Sequence, residues 1–185
     1  MLKPLAVLSL LVCVGLVGNL SAQDTAQKTR DLVAALDKTK YKKKEKKNVS
    51  IEVYVDIKNE VATRVDPSEY SGRYETDGYQ LSLTVAKDGT VSGSGFDTLM
   101  NGDESAAFEL KDAHVSGALL TGTKVYENSA REPFEAVFVN RTSKTGSNPN
   151  SISDSSTKFG IGFIQAGTGT DKDSGWRNRV FLERK

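Results

Sequence analysis

The chain has 185 residues, with 25 lysines and arginines against 24 aspartates and glutamates, and a single histidine and cysteine. A formal net charge of +1 leaves no bulk attraction to a polyanion, so any such contact must come from a local segment. One cysteine and one histidine exclude a disulfide framework, a Cys-ligated metal and a histidine-paired zinc site.

Residues 1–22 read as a signal peptide. Lys3 precedes the apolar run "LAVLSLLVCVGLV", residues 5–17, and "GNLSA" leads to a cut after Ala22. The run is shorter than the roughly 20 apolar residues of a membrane span. Cys13 follows Val12 rather than a small residue, which argues against lipidation. The expected product starts at Gln23, is periplasmic or secreted, and keeps no transmembrane segment.

Residues 23–48 read as a Lys-rich N-terminal helix. "TAQKTRDLVAALDKTKYKKKEKK" has no Gly or Pro and many good helix formers. Residues 38–47 hold seven lysines and one glutamate, net +6. Lysines favour the negative end of a helix, so the run reads first as a solvated helix end. Its second reading is weak contact with an anionic surface through Lys42, Lys43, Lys44, Lys46 and Lys47. Specific nucleic-acid recognition is not expected, because no arginine is interleaved and only Tyr41 offers a stacking ring.

Residues 49–185 read as one β domain. "VSIEVYVDIK" alternates, with Val49, Ile51, Val53, Val55 and Ile57 on one face of a half-buried strand. Asp77-Gly78, Asp88-Gly89 and Asn101-Gly102 carry the turn chemistry of tight hairpins. They predict a meander of strands at 70–76, 79–87, 90–97 and 105–111. Further strands are expected in "DAHVSGALLTGTKVYE", "REPFEAVFVNR", "TKFGIGFIQ" and "WRNRVFLER". Glycines inside these runs suggest sharp curvature. Residues 142–158, "TSKTGSNPNSISDSSTK", are almost devoid of apolar side chains and read as a mobile loop.

The fold class is therefore all-β: an antiparallel meander barrel or strongly curled sandwich of about 8–10 strands, preceded by one helix. The hairpin order over 70–185 resembles small exported binding barrels of the lipocalin or avidin type. Gly72-Arg73-Tyr74 stands where a lipocalin opens on Gly-x-Trp, and no residue role is carried over.

Motifs for catalysis are missing. His114 has Asp112 and Ser116 two residues away, but such neighbours on a strand stand about 6 to 7 Å apart, beyond a triad's direct hydrogen bonds. "GTDKDSG", residues 169–175, lacks the distal glutamate of a calcium loop. No catalytic residue, metal or cofactor is assigned. The sequence reading is an exported, non-catalytic binding or envelope-interaction module. Tyr126, Arg141 and Trp176 are expected to line a site for a small apolar or glycan ligand. The alternative is a secreted hydrolase acting on glycan or cell-wall material through acidic residues.

Overall fold

The computed structural model describes residues 22–46, 49–98, 105–166 and 177–185. The apolar leader run, Asn101-Gly102 and residues 169–175 lie outside them.

Helix α1 (Ala22–Leu36) is followed by β1 (Lys38–Lys46), β2 (Val49–Val61), β3 (Gly72–Thr76), β4 (Tyr79–Val85) and β5 (Thr90–Thr98). Then come β6 (Ser105–Ser116), β7 (Leu119–Tyr126), β8 (Arg131–Asn148), β9 (Ser151–Ala166) and β10 (Arg177–Arg184). All ladders are antiparallel, in the order β1-β2-β8-β7-β6-β5-β4-β3-β10-β9, and a further β8–β9 pairing brings the sheet back on itself. The result is a ring-like sheet made by β3 to β10.

Alternation sets the inside of the ring. Leu81, Leu83 and Val85 on β4 are buried, as are Phe134, Ala136 and Phe138 on β8, Ile161 and Phe163 on β9, and Val180 and Leu182 on β10. The aromatic rings interlock: Tyr70 stacks on Phe138 with centroids 4.0 Å apart, and Phe134 meets Phe163 edge-on at 5.3 Å. Tyr70 and Tyr74 are buried, yet their hydroxyls donate to the carbonyls of Ala62 and Tyr70 respectively, which removes the cost of an unpaired polar group. On the outside of the ring, α1 lies across β8, β9 and β2. A Cβ at Gly162 would collide with Leu36 Cδ1, so glycine lets the helix settle against the strand.

Two expectations need correction. The predicted helix does not run through the lysines: it ends at Leu36, and residues 38–46 form strand β1. In a helix, Lys38, Lys42 and Lys46 would stack at spacing i, i+4, and like charges there repel. As a strand, the segment pairs with β2 from Lys38↔Ile57 to Lys46↔Val49, and successive residues point to opposite faces. β1 is also an outer strand of the sheet, where lysines deter pairing with other chains.

Residues 142–158 are not a loop either. They are the paired ends of β8 and β9, joined by a tight turn at Pro149-Asn150. Composition misled here because a strand pair can be held by its ladder, and by bonds such as Thr142 Oγ1 to Thr157 Oγ1 at 2.9 Å, with little burial. These two hairpins lie side by side, in the order β1-β2-β8-β9, as a four-stranded flap that continues beyond the ring.

Candidate anionic-surface contact

The two faces of the β1–β2 ladder differ in kind. On one face Thr39 Oγ1 donates to Asp56 Oδ1 at 2.5 Å, and Lys43 stands 3.8 Å from Glu52. Charge there is matched. On the other face Lys38, Lys40 and Lys42 are opposite Ile57, Val55 and Val53. Among the described residues, no carboxylate lies within ion-pair distance of these three lysines. The ammonium of Lys42 titrates below an ordinary lysine, because the Lys40 side chain stands within hydrogen-bonding reach and carries a like charge.

The apolar stripe of β2 is not consumed by the fold. Ile51 is 58% exposed and Val53 47%. Exposure declines towards the helix end, so that Val55 and Ile57 are half-buried and Asn59 is buried. Lys38, Lys40, Lys42, Ile51, Val53 and Val55 line a shallow groove of about 360 Å³. The sequence expectation of a half-buried strand is thus right about alternation and too generous about burial. An apolar floor with a cationic rim suits a partner that is anionic and amphiphilic.

The five lysines expected to make surface contact divide. Lys42 belongs to this face, while Lys43 is on the opposite one, beside Glu52. Lys44 and Lys46 occupy strand positions opposite Ile51 and Val49, and Lys47 lies outside the described residues. Lys38 and Lys40 were missed. Their signal is the alternation K-T-K-Y-K, which a helical reading conceals.

Of the three expected ligand residues, Tyr126 and Arg141 do not meet. Trp176 lies outside the described residues. Tyr126 belongs to the ring interior, where it packs edge-on to Phe108 at 5.8 Å. Its hydroxyl is 3.0 Å from Asp97 Oδ2 and 2.8 Å from Glu132 Oε2. Burial, chiefly, and the two carboxylates push its pKa far up, so it stays neutral and donates.

Asp97 in turn bonds Lys124 Nζ at 2.6 Å, and both residues are buried, at 4% and 3% exposure. The Lys124 ammonium also lies over the Phe108 and Phe134 rings at 4.8 Å, and over Phe163 at 5.3 Å. Sequence reasoning missed this pair. Its trace is parity: Lys124 follows Leu120 and Gly122 on the inward side of β7, and Asp97 follows Gly93 and Gly95 on that of β5.

Arg141 is on the outside of the sheet, opposite Asn59. Its guanidinium lies 4.0 Å above the Phe181 ring. Nε donates to Asn59 Oδ1 at 3.0 Å, and Asn59 is itself held by Asp37 Oδ1 through Nδ2 and its backbone N–H. Burial pushes Arg141 down to about 10, partly offset by the charge of Asp37.

Glu183 pairs with Lys158 at 2.6 Å, and that bond holds its carboxyl below the usual range. A general acid needs the opposite shift. Among the described residues, no cluster of three or more potential metal ligands gathers, and no helix is long and apolar enough to cross a membrane.

No protein family, curated protein or solved structure matches this chain.

Proposed function

We propose that the protein is an exported, non-catalytic binding module that contacts an anionic, lipid-like surface through the lysine-and-aliphatic face of its flap. The observation that carries this reading is the exposure of Ile51 and Val53 directly beside Lys40 and Lys42, which have no carboxylate partner among the described residues.

Magnitudes favour a reversible contact. Each lysine near an anionic membrane contributes about 1 kcal/mol. Covering the exposed parts of Ile51 and Val53 contributes about 1 kcal/mol each. Three lysines and two aliphatics together supply about 5 kcal/mol, enough for binding in the sub-millimolar range. The electrostatic share fades with salt, since the screening length falls to about 3 Å at 1 M.

Co-sedimentation with vesicles containing anionic lipid tests this. The protein pellets at low salt and is mostly released at 1 M, and neutral vesicles leave it in solution. Changing Lys38, Lys40 and Lys42 to Gln abolishes pelleting without unfolding the chain. Equal pelleting of that variant refutes the reading.

A further inference from the structure

A second groove, at the base of the flap, encloses about 670 Å³. The geometry points to this groove as an oxyanion-binding subsite in which Arg141 takes the carboxylate of a small acidic sugar. This inference does not depend on the flap contacting a surface.

Four cations line the groove. Arg73 is held by Glu75 at 2.9 Å, Lys158 by Glu183 at 2.6 Å, and Lys185 stands 4.0 Å from Glu183. Arg141 is different. Among the described residues it has no carboxylate within ion-pair distance, and its one protein hydrogen bond is from Nε. The terminal nitrogens of its guanidinium are left for something else.

The guanidinium is also held in place. Phe181 supports its flat face, and Asn59, itself anchored twice by Asp37, fixes the Nε edge. A charge taken partly out of water without an ion-pair partner is costly to keep, and a fixed planar fork suits bidentate binding of an oxyanion. The depressed pKa of Arg141 reflects the same exposure to desolvation. An arriving anion relieves that cost.

Ligand class follows from charge and wall chemistry. The groove's lining carries four cations, Arg73, Arg141, Lys158 and Lys185, against three carboxylates, Glu75, Asp77 and Glu183, so its surplus of one positive charge suits a carboxylate better than a phosphate dianion. The remaining wall is mostly polar, with the Gln80 amide and the Ser143 and Ser156 hydroxyls among its lining. Such walls suit a polyhydroxylated body and not an acyl chain.

Titration of the isotope-labelled protein by NMR tests the assignment, with glucuronate as probe. Glucose supplies the same body without charge, acetate the charge without the body, and inorganic phosphate a different anion. Glucuronate is expected to bind about tenfold or more tightly than glucose or acetate, shifting the amides of Arg141, Ser143 and Ser156. Arg141→Gln is expected to reduce glucuronate binding to the level of glucose while leaving vesicle pelleting intact. Should that variant fail to fold, Arg141→Lys decides: it keeps the charge, lacks the planar fork, and is expected to lose about tenfold in affinity. Glucuronate binding no tighter than glucose, or unchanged on losing Arg141, overturns the proposal. Tighter binding of phosphate than of glucuronate overturns the carboxylate assignment.

Discussion

The ring and the flap are built from the same alternating strands, but they use their apolar residues differently. In the ring, Leu81, Leu120, Phe138 and Ile161 are almost wholly removed from water. Even the charged pair inside it, Lys124 and Asp97, is mutually bonded. In the flap, Ile51 and Val53 form the same inward-looking pattern in sequence and remain about half exposed. Burial of apolar area is what folding gains most from. A stripe left uncovered beside unmatched lysines supports the proposed surface contact, while the ring buries the apolar area that holds the fold together.

The contrast can be broken most severely inside the ring. Leu83 is 5% exposed and opposite Gly93, whereas Ser82 is opposite Arg73 and Ser94 on the outer side. Leu83→Asp leaves a buried carboxylate without a partner and costs several kcal/mol, enough to unfold a domain of ordinary stability. Ser82→Asp leaves the urea midpoint nearly unchanged. Equal effects of the two substitutions contradict the register.

The buried ion pair comes next. Lys124→Met removes the cation and strands Asp97, at a cost of about 3–5 kcal/mol in urea unfolding. The double variant Lys124→Met, Asp97→Leu recovers most of that loss, because a buried pair replaced by apolar groups of similar size is close to neutral. No recovery means that the pair has a role beyond compensating itself.

Alkaline pH offers a milder probe. Burial pushes Tyr74 up to about 12, and Tyr70, Tyr79 and Tyr126 are also raised, each chiefly by desolvation. An unfolded tyrosine ionises near pH 10. Below that pH the tyrosine contribution to stability is complete, and it is lost as pH rises from about 10 through 12, where the unfolded state holds fewer protons. Arg141, depressed to about 10, acts in the opposite sense but is one group against four. The melting temperature is expected to fall steadily over this window. A flat profile contradicts the burial of these hydroxyls.

The smallest stability effect belongs to the flap. Changing Ile51 and Val53 together to Ser is expected to shift stability by no more than about 0.5 kcal/mol per site, the range of surface substitutions. The same variant loses pelleting with anionic vesicles. Loss of stability comparable to that of the ring variants shows the stripe to be core after all.

Much of the ring was legible in the sequence because its signals are local. Asp77-Gly78 and Asp88-Gly89 place glycines at φ 75° and 87°, and Asp88 Oδ1 accepts from Thr90 N–H at 2.9 Å. "YQLSLTV" alternates as β4 does. The flap was misread because its signals are relational. Lysine is a good helix former taken alone, and β1 exists only through its pairing with β2. Residues 142–158 look unstructured because their order comes from a ladder rather than from burial. The candidate contact shows the same division. Sequence located the positive charge in residues 38–47, but which lysines share a face with Ile51 and Val53 depends on register. Arg141 was singled out from sequence as a polar handle, while its isolation from every carboxylate in the groove is visible only once Arg73, Lys158 and Lys185 are seen to be paired.

On the proposed reading the flap contacts a partner surface and the ring does not. Hydrogen exchange of the protein with and without anionic vesicles tests it most directly. Added protection is expected in residues 38–46 and 51–57 at low salt, vanishing at 1 M, with exchange in β4 to β7 unchanged. Protection spread over the ring, or none in the flap while the protein pellets, contradicts the account.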